Sequence, residues 1–420
     1  ENIDRVPDLD PELKKRYIGE AKVLRAYSYY ELYTKFGDVP YTTKVLSIKE
    51  SMSIARTAKA TVIANVLADL DEVINGNYLP TSYDADNKGR ITRWAAMAIK
   101  AKIYLFEGNW TQVKNITSTI MTEGGFKLFG SYAGLFEIAN EYNSEVILDA
   151  QYRPTSREHQ MMYVFLPPTL GGYSQLSPLQ ELVDSYIMLD GKTIKETGTS
   201  FDESHPYANR DPRLKATVMY TGNSYTLADG TEVVINCEKG EGKDGYGVGS
   251  DCSATGYYIK KYWDNTYRAT LYSGLNPILI RYADILLMNA EALAELGELD
   301  KTAWDATIKP IRDRAGFTLA SALEFPEGAS KDKLIEIVRN ERRSELALEG
   351  HRHKDIIRWR IADNVLNGWC HGLKTNDVVG TDDGYVRVEN RTFNANKHYL
   401  WPIPQAERDL NGNLEQNPNW

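Results

Sequence analysis

From Leu334 to Arg360 the apolar positions recur on one helical side. Leu334, Ile337, Val338, Leu346 and Leu348 make that side, while Arg339, Glu341, Arg342, Arg343, Glu345 and Glu349 crowd the remainder. The pattern predicts one helix running up to Gly350, read as its C′ stop, with Arg342 in reach of Glu345. Glu341, Glu345 and Glu349 fall on a single stripe. Like charges at that spacing repel by roughly 0.2–0.5 kcal/mol per exposed pair, so the stripe requires partners from elsewhere in the chain. After His351-Arg352-His353, a further short helix begins at Asp355 to Trp359.

The same periodicity predicts helices over Glu12–Phe36, with Tyr17, Leu24, Tyr27 and Leu32 among its packing residues, and over Thr61–Ile74. Gly37 and Pro40 close the first; Asn75-Gly76 closes the second. Arg90–Glu107 carries small residues at Ala95, Ala96, Ala98 and Ala101, breaks at Gly108-Asn109 and resumes at Trp110. Small residues facing large ones across a short turn describe an αα-hairpin. Arg281–Leu296 repeats the design, breaking at Gly297 and resuming through Trp304 to Ala315, and Gly37 ends a third unit of similar build. These are tetratricopeptide-type helix pairs, dispersed rather than tandem, so a regular solenoid is excluded.

Between about Ser131 and Pro277 the pattern changes. Glu145–Ala150, Tyr163–Leu166, Thr231–Asn236 and Gly256–Tyr262 read as short strands among Gly, Pro, Ser and Asn clusters. The final segment, Tyr399 to Trp420, is interrupted too often for long elements and is expected to wrap the surface as an extended strap. The fold expected is mainly α: helix pairs in a right-handed superhelical scaffold with a loop-rich insertion. Its parts are residues 1–130, a helical part; 131–280, the insertion and ligand-binding region; and 281–420, helices and strap packing on the first part as one unit.

Composition alters this picture little. The 420 residues are 42% hydrophobic and 25% charged, ordinary values for a globular chain. A net charge of −9 argues against a nucleic-acid partner. No apolar run reaches bilayer-spanning length, and the opening ENIDRVPDLDPELKK reads like the middle of a protein rather than a signal peptide. With three cysteines there is no disulfide scaffold. One bridge, Cys237–Cys252, would close a glycine-rich hairpin and contribute roughly 3 kcal/mol; two free thiols are the alternative, and Cys370 stays unpaired. Tyrosine is abundant, 27 residues, which suits both sugar stacking and helix packing.

No motif points to catalysis. Gly240-Glu241-Gly242-Lys243-Asp244-Gly245 matches G-x-G-x-x-G, but Tyr246-Gly247-Val248-Gly249 opens no helix, so a loop is expected. Asp84–Gly89 begins like an EF-hand yet puts Lys88 at a ligand position and Ala95 where the bidentate Glu belongs; a structural calcium or similar ion elsewhere is left open. The Glu341/Glu345/Glu349 stripe, with His351 and His353, lacks the Glu-x-x-His spacing of bundle metal sites. With Arg339, Arg342, Arg343 and Arg352 nearby, it reads as a buried ion-pair network. No metal ligand, cofactor or catalytic residue is assigned.

The block ERRSELALEGHRHKDIIRW (341–359) resembles the ERR-x-EL-A-x-EGHR-x-x-D-x-x-RW signature of the SusD/RagB family. So do EAKVLRAYSYYELYTKFGDVPY (20–41), RDPRL (210–214), YYIKKYWDN leading into RYADILLMNAEALAE (257–295) and YLWPIPQAERDLNGNLEQNP (399–418), in the family's order. The resemblance implies a non-catalytic lipoprotein on the outer membrane of Bacteroidetes-type bacteria, its lipid anchor and first helices lying ahead of Glu1. Its implied partners are an oligosaccharide or polysaccharide and a SusC-like TonB-dependent transporter; capture of peptides, as in some relatives, is the alternative, ahead of an adaptor or a glycoside hydrolase. Sugars lay C–H faces on aromatic rings. Tyr173, in LGGYSQLSP, occupies a place resembling one of the family's binding loops and is the first candidate. Tyr152 and Tyr163 follow, with Arg153 and Gln175 as polar neighbours, whereas Tyr262 and Trp263 are read as core.

Overall fold

The structure, a computed structural model, describes residues 2–267 and 270–420; the opening residue Glu1 and positions 268–269 of the expected insertion lie outside it. Among the described residues sixteen α-helices dominate, and the strands are short and antiparallel. Among the described residues no helix is long and apolar enough to cross a membrane. The chain divides into two compact units. One comprises Glu1–Gly124, His353–Leu366 and Thr392–Trp420; the other Gly125–Arg352 and Asn367–Arg391.

In the first unit Asp10 accepts from the Leu13 amide and Pro11 occupies the first turn, starting the helix Pro11–Phe36. Its buried side is Gly19, Val23, Ala26, Tyr30, Tyr33 and Thr34. Tyr17, Leu24 and Leu32 are exposed, contrary to expectation, and Tyr27 is half-buried. The seam is chosen by close approach rather than by hydrophobicity: a Cβ on Gly19 would stand 2.9 Å from the Tyr78 Cβ. The Arg25 guanidinium then clamps Asp69 of the helix Lys59–Asn75 bidentately, at 2.6 and 2.8 Å. Lys59–Asn75 also packs on Arg93–Phe106, whose Ala95, Ala96, Ala98 and Ala101 are fully buried. Gly108 turns the chain at φ +70°, and Asn109 caps Trp110–Glu123, completing the expected αα-hairpin.

The tail behaves as a strap, interrupted by one short helix, Gln405–Leu410. Its buckle is Asn417, whose Nδ2 donates to the carbonyls of Phe36 (3.0 Å) and Trp401 (2.7 Å), while Arg56 donates to the Glu415 carbonyl and the Asn417 Oδ1.

In the second unit Tyr282–Leu296 ends at Gly297 in the left-handed conformation and packs against Lys331–Glu345. The segment after it is two helices, Lys301–Ala306 and Ile308–Ala315, broken at Thr307. Lys331–Glu345 stops well before Gly350: Leu346 is its C-cap, and Leu348 sits at φ +64° and is exposed, not packed. The shortened helix lets Glu349 turn inward. Tyr163–Leu166 is also not a strand; Met161–Phe165 is a helical turn, its β-prone composition overridden by tertiary contacts. The expected strands around residues 147, 233 and 259 form, pairing Val146–Asp149 with Ile278–Arg281, Glu232–Val234 with Ser224–Thr226, and Tyr258–Ile259 with Val218–Met219. Gly240 and Gly242 lie at positive φ in a loop, as their setting predicts. All three cysteines are free: Cys237 is buried in an apolar cluster that pushes its thiol up to about 12, and the Cys252 thiol donates to the Lys243 carbonyl.

At the centre of this unit the acidic stripe meets its partners. Arg281 reaches Glu145 at 2.7 Å, Glu345 at 2.5 Å and Glu349 at 2.7 Å. Arg213 reaches Asp211 (2.7 Å), Glu341 (2.7 Å) and Glu345 (2.9 Å). Arg314 binds Glu145 and Glu345, Arg312 binds Glu341, and Lys261 binds Glu349. The side chains of this network are nearly inaccessible to water. The expected local partners point elsewhere: Arg342 to Asp284, Arg339 to Glu295 and Arg343 to the Glu181 carbonyl. Burial pushes the Glu345 carboxyl up, but Arg314, Arg281 and Arg213 outweigh it and hold the group far below the carboxylate range; Glu341 and Glu349 are likewise lowered. Burial brings Lys261 down to about 8.

Replacing Arg281 with Met takes one cation from each of three buried carboxylates, Glu145, Glu345 and Glu349, and is expected to cost roughly 3–5 kcal/mol in denaturant unfolding. The three glutamates stay ionised in the folded state below the value, 4.5, at which the unfolded chain protonates them. As pH falls through that range only the unfolded chain takes up protons, so stability declines. Thermal melts from about pH 6 down to pH 3 should fall, and fall less steeply in Glu345→Gln. Asn417→Ala, which takes the donor from the Trp401 carbonyl and the Oδ1 acceptor from Arg56, should cost about 1–3 kcal/mol by the same unfolding assay.

Candidate ligand-binding surface

Gly171-Gly172 is the hinge on which the candidate surface depends. Gly171 takes φ +83°, and a Cβ on Gly172 would lie 2.1 Å from the Leu166 carbonyl oxygen, so only glycine lets this loop close onto the turn Met161–Phe165. Three amides then lock it: Tyr173 N to Tyr163 O at 2.9 Å, Leu176 N to Val164 O at 3.2 Å and Ser174 N to Leu166 O at 3.3 Å. That register sets the Tyr163 and Tyr173 rings side by side, centroids 4.2 Å apart and planes inclined by 29°. Tyr173 is 39% exposed, so the pair presents an aromatic face to solvent. The hydrogen bond with the Tyr173 phenol pushes the Tyr163 hydroxyl up, with smaller contributions from desolvation and the nearby Asp251 charge.

Two of the five expected residues are thereby brought together. The ring of Tyr152 is edge-on to His159 at 4.8 Å and covered by the Arg157 guanidinium at 5.2 Å. Arg153 is exposed and joined through its backbone to Arg157; Gln175 is exposed on the Tyr173 loop. Tyr262 is buried, as expected, while Trp263 is half-buried and donates to the Thr226 carbonyl.

Tyr272 was not legible from the sequence. It is 43% exposed, accepts from the Gln160 amide at 2.7 Å, and lies near enough to raise the Tyr163 hydroxyl further. Residues 159 and 273 exchange both backbone hydrogen bonds at 2.9 Å, which carries Tyr272 to this place from far along the chain. No local pattern signals that pairing. The surface thus offers flat rings edged by amide and guanidinium donors, suited to the C–H faces and hydroxyls of a sugar.

Comparison with known proteins agrees with the fold. The model of the SusD family matches residues 135–420, and a second model, described as starch-binding associating with outer membrane, matches residues 1–105. SusD-like protein P25 of Formosa agariphila is 28% identical over 390 residues, 87% of this chain and 68% of its own. A SusD-like carbohydrate-binding protein of Bacteroides fragilis superposes with a TM-score of 0.87 at 29% identity, covering 98% of this chain and 82% of that one. A further SusD-like protein from that organism gives 0.82 at 28% identity, over 98% and 81%. With more than half its length matched in one continuous block and both units accounted for, the chain belongs to the SusD family, whose members are binding proteins associated with the outer membrane.

Proposed function

We propose that the protein is a surface glycan-binding component of a nutrient-uptake system. It captures an oligosaccharide on the Tyr163–Tyr173 face and passes it, chemically unchanged, to a SusC-like TonB-dependent transporter in the outer membrane. A lipid anchor ahead of the present chain holds it at the cell surface.

The observation that carries this reading is the exposed tyrosine pair, fixed in place by backbone hydrogen bonds rather than by a mobile loop. Ring stacking against sugar requires both exposure and preorganisation, since ordering a free loop on binding costs affinity. The carbohydrate-binding relative from Bacteroides fragilis supports the ligand class. In this reading residues 131–280 are the ligand-bearing part, and Arg153 and Gln175 are the hydroxyl partners beside the rings. Tyr152 serves a more distant subsite. The role demands no general acid, nucleophile or metal.

Isothermal titration against a panel of neutral polysaccharides is expected to find at least one ligand, with Tyr173→Ala weakening it about tenfold, or 1.4 kcal/mol. An empty panel rejects the proposal. Gly172→Ala should weaken the same ligand comparably with Tyr173 intact, because its Cβ cannot coexist with the Leu166 carbonyl and the loop must lift the ring away. Unchanged affinity in that variant would show that ring placement does not matter.

A further inference from the structure

A cleft of about 1240 Å³ opens in the second unit, and none of the five residues expected to bind ligand lines it. Its aromatic wall is a second tyrosine pair, Tyr207 and Tyr220, with ring centroids 3.9 Å apart and planes inclined by only 17°. A relay of hydrogen bonds pins this pair: the Tyr207 and Tyr257 hydroxyls meet at 3.2 Å, Tyr257 donates to the Gln180 Oε1 at 2.5 Å, and the Gln180 Nε2 donates to Asp184 at 2.7 Å. Arg210 contributes no free charge to the interior; its guanidinium is buried and donates to the carbonyls of Val183, Tyr186 and Pro206.

The rim is polar and almost neutralised. Lys239 pairs with Asp377 at 2.5 Å and Lys374 with Glu203 at 3.0 Å, so both lysines are spoken for. The exposed carboxylates of Glu238 and Glu241 and the exposed amide of Asn376 also face the cleft. What a ligand meets is therefore a rigid aromatic wall, hydrogen-bond acceptors, and a small excess of negative charge. An anion would be repelled by the glutamates while finding no unpaired lysine. A polyhydroxylated neutral molecule satisfies every element: its C–H faces cover the rings and its hydroxyls donate to carboxylates in charge-assisted hydrogen bonds.

We propose that this cleft is a second glycan site, taking a short neutral oligosaccharide and excluding uronic-acid and sulfated sugars. The inference rests on the carbohydrate-binding reading above. It adds that the chain holds one polysaccharide at two places, so that the second contact is made at high effective concentration.

The test is calorimetric titration with neutral gluco-, manno-, galacto- and xylo-configured hexasaccharides, an oligogalacturonate and a lysine-rich hexapeptide. The proteins are the wild type, Tyr173→Ala, Asn376→Trp, Tyr220→Ala, and the two doubles that join Tyr173→Ala to each cleft variant, with thermal melts confirming folding. Asn376→Trp fills the cleft from an exposed position and keeps the question answerable should Tyr220→Ala fail to fold. The expected result is that Tyr173→Ala retains one site for a neutral hexasaccharide, and that either cleft substitution weakens that residual site at least tenfold. If Tyr173→Ala alone abolishes glycan binding, or the cleft variants leave its residual binding unchanged, the second site is refuted while the first reading stands. If wild type binds none of the sugars, both fall. Preference of the cleft for the oligogalacturonate or the peptide overturns the neutral-sugar assignment.

Discussion

Buried charge is the constraint to which the second unit answers. Glu145, Asp211, Glu341, Glu345 and Glu349 face Arg213, Lys261, Arg281, Arg312 and Arg314 with almost no access to water. Desolvating such groups costs several kcal/mol each, and geometry alone recovers it. Hence the bidentate and shared contacts around Arg281 and Arg213, and the turn after Glu345 that brings Glu349 inward. The network specifies position more than it adds stability: apolar side chains slide past one another, whereas this set of partners is satisfied in one arrangement. It anchors the strand Ile278–Arg281, the turn around Asp211 and the helix Lys331–Glu345 to each other.

The helix pairs were legible because their signals are local. Alanines at 95, 96, 98 and 101 and the glycines at 108 and 297 announce the tight seams and turns directly. The partners of the acidic stripe were not, because Arg213, Arg281, Arg312 and Arg314 carry no mark distinguishing them from nearby Arg339, Arg342 and Arg343. The face of Pro11–Phe36 was misread for a related reason. Close approach at Gly19 and Ala26 decides the seam, and hydrophobicity at Leu24 and Leu32 is a weaker guide. The end of Lys331–Glu345 was misplaced because Gly350 is a genuine left-handed position, but it closes a turn rather than the helix.

The candidate surface was half visible. Tyr173 could be singled out through its Gly-Gly hinge and its place in the family pattern, and Tyr163 only as a second choice beside Tyr152. That the two rings stack, and that Tyr272 joins them through the pairing of residues 159 and 273, depends on contacts between distant segments. The Tyr207–Tyr220 wall was invisible for the same reason: no local pattern pairs the two rings, and the cleft is assembled from stretches scattered between Gln180 and Tyr385.

The buckle at Asn417 has a consequence for how the chain is made. Arg56 and Asn417 are 361 positions apart, and the first unit also needs the segment His353–Leu366. Closing such a loop is entropically slow, and topologies rich in distant pairings fold late. A nascent chain emerging from the ribosome therefore completes its N-terminal helices long before the piece that latches them exists. The first unit can be finished only once Asn417 has been made, whereas the ion network of the second has all its partners as soon as Glu349 exists.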